Sequence, residues 1–368
     1  MRIVQLVYHL GFGGGEKFVV NLSNQLAENG HEIIIVQLRN DTDSFDIHFN
    51  RQFLSPKVKY LNLGLTKGFT FKKAMKVMCK LYRLKADIIH SHLNILPYYY
   101  LLTLFPGKTK FVHTLHNVAE KETEISWQQK INRWIYKHNF IIPITISAEC
   151  QKSFTNLYHI PSPICINNGT PPVRATPDIE RVKTELRSLC NTDNCKILLH
   201  VGRFNEQKNH RLLIESFNQI IKEGFDAELF IIGGKFETPP GLELQKKACC
   251  RIHFLGTRHN VCDYMLNSDF FILSSLWEGL PISLIEAMSA KLIPISTPAG
   301  GIPNVITDGY NGFISSDYSQ QEFVKTIKRA LNSSLDPNLI YQSYLDNYSM
   351  TKCANAYELM YNQKQFIC

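Results

Sequence analysis

Short apolar runs alternate with longer segments of helical period along this chain, and they do so in two separate series. The first series has strand-like runs at Ile3–Tyr8, Glu32–Leu38, Asp87–His90, Lys110–Thr114 and Ile141–Ile146, with helical segments at Glu16–Glu28 and Trp127–His138. The second has strands at Lys196–Val201, Glu228–Ile232, Arg251–Leu255, Phe270–Leu273 and Leu292–Ser296. Its helices fall at His210–Glu223, Val261–Asn267 and Ile282–Ala290. Alternation of this kind builds an α/β fold, a parallel sheet with helices on both faces. Between the series, Pro161, Pro163, Gly169, Pro171, Pro172 and Pro177 make a stretch suited to a linker. The expected architecture is therefore two Rossmann-like, doubly wound domains facing each other across a cleft, with ligands at the carboxyl ends of the strands. The domain boundaries read as 1–165, a linker at 166–177, 178–345, and a terminal helical segment at 346–368.

Composition narrows the class. Hydrophobic residues are 44% of the 368, as in globular proteins, so disorder, collagen and coiled coil are excluded. No apolar run reaches the roughly 18–20 residues of a membrane-spanning helix. The opening Met-Arg-Ile-Val-Gln-Leu-Val-Tyr breaks early at Gly11 and reads as a first strand, not an export signal. The ten cysteines have neither framework nor zinc-ligand spacing, so reduced thiols and a cytoplasmic location are expected. The charge of +8 is uneven: residues 1–165 hold 20 Lys/Arg against 11 Asp/Glu, and no acid stands between Asp46 and Asp87. The partner of the first half should be anionic.

Three segments carry chemistry. Gly11-Phe12-Gly13-Gly14-Gly15-Glu16 follows the first strand and opens a helix, where free N–H groups meet anions. A dinucleotide fingerprint needs a third glycine where Glu16 stands, which disfavours an oxidoreductase. Gly202-Arg203-Phe204-Asn205-Glu206-Gln207-Lys208 follows the first strand of the second series, and Arg203 and Lys208 suit phosphate oxygens. In Glu278-Gly279-Leu280-Pro281-Ile282-Ser283-Leu284-Ile285-Glu286, Pro281 marks a helix start. Glu278 then lies in the loop before the helix and Glu286 beyond its first turn. Sugar hydroxyls are donors that satisfy acids in such places.

These segments together resemble retaining glycosyltransferase family 4. The resemblance extends to Thr114-Leu115-His116-Asn117, Asn167-Asn168-Gly169 and Thr297-Pro298-Ala299-Gly300-Gly301-Ile302-Pro303, and so covers most of the chain. It implies the two-domain GT-B fold, with an acceptor-binding first domain, a donor-binding second domain and a last helix crossing back to the first. Residue by residue, Gly14 and Gly15 match the loop that approaches the donor diphosphate. Arg203 and Lys208 match the pair that neutralises it. Glu278 matches the acid that bonds hydroxyls of the transferred sugar, with the N–H groups of Gly279 and Leu280 nearby, and Glu286 the acid that holds the ribose. His116, past the expected strand end, matches a histidine on the donor sugar, in preference to His113. Gly233 and Arg258 lie where the family lines the nucleobase pocket. Asn117 stands where the family often has Asp, which leaves acceptor activation unassigned. His90 reads as a structural histidine.

The resemblance implies a hexose transferred from a UDP- or GDP-sugar, with retention, to a hydroxyl of a saccharide or lipid-linked saccharide in bacterial surface-polysaccharide assembly. Asp41-Thr42-Asp43 has the form of a metal motif but sits in a polar loop, and Arg203, Lys208 and helix N-termini supply positive field, so no metal is expected. Two alternatives stay open, a glycoside hydrolase with Glu278 and Glu286 as its carboxylates and a non-enzymatic nucleotide-sugar-binding protein. No nucleic-acid partner is expected. An anionic membrane surface is, because Phe71, Ala74, Met75, Met78, Leu81 and Tyr82 form an apolar stripe on a helix whose other positions hold Lys72, Lys73, Lys76, Lys80 and Arg83; the stripe faces either that surface or the core, and in both cases the cations can meet anionic lipid. That would place the enzyme on the inner face of the cytoplasmic membrane.

Overall fold

The structure is a computed structural model that describes residues 1–11, 13–40, 49–161 and 163–363; Asp41 and Asp43 lie outside them. It has two compact units, one of Met1–Pro171 joined by the chain from Tyr348 onward, the other of Pro172–Asn347.

Unit 1 contains β1 (Arg2–Val7), α1 (Gly14–Glu28), β2 (Glu32–Arg39), β3 (Lys59–Leu65), α2 (Phe71–Leu84), β4 (Ile88–His92), α3 (Tyr100–Thr103), β5 (Lys110–Leu115), α4 (Ala119–Glu122), α5 (Ser126–Lys137), β6 (Ile142–Thr145), α6 (Ala148–Tyr158) and β7 (Ile164–Cys165). All its strands pair parallel in the order β3-β2-β1-β4-β5-β6-β7. β1 is central: Ile3 sits beside Ile33 and Ile88, and Ile3, Val4, Leu6 and Val7 are fully buried. Right-handed crossovers put α1 on one face and α2, α3, α5 and α6 on the other. Strand β3 was not expected from the sequence. It is an edge strand, so only alternate residues, Leu63 and Leu65, reach the core, and its lysine-bearing stretch reads as loop.

Helix α2 shows how its apolar stripe is divided between core and surface. Thr70 caps it by accepting from Lys73 N, and Ala74, Val77, Met78 and Leu81 fill the core. Phe71, Met75 and Tyr82 stay exposed. The expected stripe thus divides between two sides, and Val77 takes the vacated core position.

Unit 2 contains α7 (Ile179–Leu189), β8 (Lys196–Val201), α8 (His210–Lys222), β9 (Ala227–Ile232), α9 (Pro239–Gln245), β10 (Ile252–Gly256), α10 (Val261–Leu266), β11 (Phe270–Leu273), α11 (Ile282–Ser289), β12 (Ile293–Ser296), β13 (Phe313–Ile314), α12 (Gln320–Leu331) and α13 (Pro337–Asn347). The six strands are parallel, in the order β10-β9-β8-β11-β12-β13. Both sheets therefore reverse strand order once, between β1 and β4 and between β8 and β11. Open α/β sheets bind ligands at that switch point.

Chain exit and re-entry in unit 1 run side by side. Thr170 N donates to Tyr348 O (3.1 Å) and Met350 N to Thr170 O (2.9 Å). A Cβ on Gly169 would overlap the Ser349 carbonyl and the Cys353 side chain, so glycine is required there. Helix α14 (Met350–Asn362) then packs on α1, with Tyr357, Met360 and Tyr361 buried. The ammonium of Lys110 on β5 satisfies carbonyls at its end, Tyr361 O at 2.8 Å among them.

Candidate functional site

In unit 2 the loops after β8 and β11 flank the switch point. After β8 the chain turns through a single 3-10 turn, Glu206–Lys208, capped by Asn205, whose side chain accepts from Lys208 N (3.0 Å). A Cβ on Gly202 would press on the Lys208 stem, so glycine leaves room for that lysine. Lys208 Nζ lies 2.6 Å from Glu278 Oε1, and both side chains are largely buried. Ser275 Oγ donates to the same oxygen (2.7 Å), and Gln207 Nε2 to Glu278 Oε2 (3.3 Å). Burying two charges costs several kcal/mol each unless they are paired and hydrogen-bonded, and here they are both. The resemblance assigns Lys208 to phosphate and Glu278 to sugar hydroxyls. The structure joins them in one ionic unit and adds Gln207 and Ser275, which it had not named.

The backbone around Glu278 is held by a second glycine turn. Gly300 has φ +55°, and a Cβ there would overlap the Glu278 carbonyl. Gly301 N donates to Gly279 O at 3.0 Å. Leu280 is buried, Pro281 sits at the N-cap, and α11 begins at Ile282. Glu286, in the second turn of α11, is buried within electrostatic reach of the Tyr344 hydroxyl. Arg203 is exposed, and its guanidinium makes no ion pair or hydrogen bond with a described residue. Gly233 touches the site through packing: a Cβ there would overlap the Gly202 carbonyl, so this glycine lets the loops after β8 and β9 close up. Arg258 points to Tyr264 Oη (2.9 Å) and Glu185 (3.3 Å), tying α10 to α7.

Unit 1 presents a different surface at its own switch point. Helix α1 starts at Gly14 with Gly13 as an N-cap that lends no side chain. A Cβ on Gly15 would press on the His116 ring, so glycine brings this helix start against that histidine. Asn50, buried and distant in sequence, donates to the carbonyls of Gly11 and Gly13 (3.4 Å for the latter) and steadies the loop. Its signal could not be read, because a lone Asn far from a glycine run carries no pattern.

His116 stands one residue past the end of β5, while His113 is inside the strand, bonded to Ser91 Oγ at 2.8 Å. His90 is wholly buried between Tyr361 Oη and Thr114 Oγ1, both 2.7 Å away, in a structural role. His92 Nε2 lies 2.7 Å from Gln5 Oε1, and His92 Nδ1 lies 2.9 Å from His116 Nε2. A carbonyl oxygen only accepts, so His92 carries its proton on Nε2, and its Nδ1 lone pair takes the Nε2–H of His116. His116 Nδ1 is then a lone pair, shielded from solvent and without a partner among the described residues. Burial holds the His116 pKa near 3 and His92 far below the ordinary value, with the neighbouring histidines adding to the second. The array is neutral.

Glu122 Oε2 accepts from the N–H groups of His116 (2.9 Å) and Asn117 (3.0 Å), and its Oε1 is buried without a partner among the described residues. Desolvation pushes this carboxyl up to about 8, and nearby Glu16 adds to the rise. Asn117 Oδ1 accepts from Val118 N (2.9 Å) and shapes the same turn. Among the described residues, no three His, Cys, Asp or Glu side chains are placed to hold a metal ion.

Comparison with known proteins identifies the family of the chain. Residues 12–174 match the family model Glycosyltransferase Family 4, and residues 183–346 match Glycosyl transferases group 1. The chain belongs to glycosyltransferase family 4 and is a glycosyltransferase. A UDP-Gal:alpha-D-GlcNAc-diphosphoundecaprenol alpha-1,3-galactosyltransferase of Escherichia coli is 24% identical over 330 residues, covering 80% of this chain and 82% of the relative. A glycosyltransferase from Rickettsia africae superposes with a TM-score of 0.80 at 17% identity, covering 98% and 97% of the two chains. Anabaena Alr3699/HepE, solved in complex with UDP and glucose, superposes with a TM-score of 0.76 at 18% identity, covering 98% and 99%. The pair of Rossmann-like units is the GT-B class of fold.

Proposed function

We propose that this enzyme transfers a hexose, with retention and without a metal ion, from a UDP- or GDP-sugar to a hydroxyl of a lipid-linked saccharide during polysaccharide assembly. The buried Lys208–Glu278 pair at the switch point of unit 2, with Arg203 exposed on the same loop as Lys208, carries this reading. As the C1–O bond breaks, charge grows on the leaving diphosphate, and Arg203 and Lys208 supply the positive field there. Glu278 accepts from sugar hydroxyls, and Glu286 from the ribose. His116 offers its Nδ1 lone pair to a sugar hydroxyl. The acceptor oxygen bonds C1 on the face the diphosphate leaves, and its proton passes to a phosphate oxygen.

The E. coli relative, named for a diphosphoundecaprenol-linked substrate, supports a lipid-linked acceptor. Among the described residues no helix is long and apolar enough to cross a membrane. Reaching such an acceptor then falls to the surface, and the lysines of α2 suit the anionic cytoplasmic leaflet. The test is sugar transfer from UDP- and GDP-sugars to a polyprenyl-diphosphate saccharide, in excess EDTA. An α-linked product in EDTA is expected. Release of free sugar alone would make the protein a hydrolase, and activity restored only by Mg²⁺ or Mn²⁺ would overturn the metal-free reading.

A further inference from the structure

The face of unit 1 formed by α2, α3 and α5 is apolar on its outer side. Phe69, Phe71, Met78, Leu101, Ile131 and Trp134 line an open groove of about 350 Å³ there. Trp127, Ile131 and Trp134 recur at helical spacing on α5, and all three are exposed. Phe71, Met75 and Tyr82 are exposed on α2, while Ala74, Val77 and Leu81 of the same helix fill the core. Single exposed apolar side chains are ordinary, but a contiguous set from two helices marks an interaction surface.

Charge decides what the surface meets. Helix α2 holds Lys72, Lys73, Lys76, Lys80 and Arg83, helix α5 holds Lys130, Arg133 and Lys137, and neither contains an acid. Lys73 and Lys76 donate to backbone carbonyls of Thr66 and Leu63. The other six have no carboxylate partner among the described residues. Cations interleaved with Trp, Tyr and Phe complement lipid phosphates above an acyl layer. Each helix also follows a strand in a βα unit, so both begin at the carboxyl edge of the sheet that carries His116.

We propose that this face inserts into an anionic bilayer, with Phe71, Trp127, Ile131 and Trp134 entering the interfacial layer and the cations of α2 and α5 holding lipid phosphates. The proposal rests on the lipid-linked acceptor reading and deepens it, because it names the side chains that leave water.

The test uses the full chain and vesicles of phosphatidylglycerol and phosphatidylcholine with brominated acyl chains, read by tryptophan fluorescence. The chain has three tryptophans, and Trp277 is in unit 2, so Trp277→Phe leaves emission from α5 alone. Brominated chains should quench that emission, and part of the quenching should survive high salt. Trp127→Ser with Trp134→Ser should weaken vesicle binding at least about tenfold. Salt-sensitive vesicle binding with no quenching would overturn insertion and leave the lipid-linked acceptor reading standing. A dimer in sedimentation equilibrium that Trp134→Glu dissociates would assign the face to a second copy and overturn the proposal. Quenching without transfer to any lipid-linked saccharide would uphold the face and remove the acceptor reading.

Discussion

The two units share a parallel sheet that reverses direction once, and each places a glycine-bearing loop at its switch point, yet their electrostatics are opposite. In unit 2 the loops after β8 and β11 bring together a buried lysine and glutamate 2.6 Å apart, with an exposed arginine on the first of them. In unit 1 the equivalent end holds His90, His92, His113 and His116, each pushed by burial toward the neutral form, and Glu122, pushed toward the protonated form. The shared topology sets where a ligand sits, and the loop residues set what it can be. A leaving diphosphate needs fixed positive charge. A sugar hydroxyl needs only an oriented lone pair, which a neutral imidazole supplies without importing charge.

The largest effect should come from breaking the charged half. Lys208→Ala or Arg203→Ala is expected to lower kcat by roughly 10²–10³, the usual loss for one preorganised charge-stabilising donor. Lys208→Ala also strands Glu278 as a buried charge, so its thermal stability should fall as well, whereas exposed Arg203 should cost activity alone. Steady-state kinetics beside thermal unfolding separates these, and wild-type turnover in both variants would end the contrast between the units.

A smaller effect tests the neutral half through pH. The Glu122 carboxyl is raised to about 8 in the fold, above its ordinary 4.5. Its contribution to stability is complete below the unfolded value and is lost as pH rises through the folded one, at most about 1.4 kcal/mol per pH unit. Glu122→Gln keeps an oxygen for the N–H groups of His116 and Asn117 and removes the titration. Wild type should therefore lose Tm relative to Glu122→Gln between pH 5 and 8. Parallel Tm curves across that window would show that Glu122 is ionised in the fold.

The smallest effect concerns the direction of the imidazole chain. His92→Leu removes the lone pair that holds the Nε2–H of His116, while His92→Asn keeps an acceptor in its place. Loss of one neutral hydrogen bond, about 1 kcal/mol, should lower kcat about fivefold in the Leu variant and less in the Asn variant. Nitrogen-15 NMR of labelled histidines should report the Nε2–H tautomer of His116 in wild type and a mixture in His92→Leu. An Nδ1–H tautomer in wild type would reverse the chain and remove the acceptor atom that the proposed sugar contact needs.

Much of this was legible before folding. Gly14, Gly15, Arg203, Lys208, Glu278 and Glu286 lie on short segments whose local pattern announces a strand end and a helix start, and the structure has Gly14 and Gly15 opening α1, Arg203, Lys208 and Glu278 on the loops after β8 and β11, and Glu286 in the second turn of α11. His116 could be preferred over His113 by counting to the strand end. Asn50, Gln207, Ser275 and Glu122 could not be found this way, because each acts on a backbone or side-chain group that only folding brings near. Strand β3 was hidden because an edge strand buries alternate residues only. Helix α2 was legible as a helix but not in its facing, since amphipathic periodicity marks a stripe without saying how much of it the core will cover.

The sequence by itself determined two parallel α/β units, their glycine turns and the acids and cations of the segments after β8 and β11, since hydrophobic period, turn chemistry and residue type are local properties. Tertiary structure alone decided that Lys208 and Glu278 stand together in one ionic unit, that His116 is hydrogen-bonded to His92, and that Trp127 and Trp134 are exposed on the surface of unit 1. Charge pairing, imidazole tautomer and exposure all depend on neighbours distant in the chain.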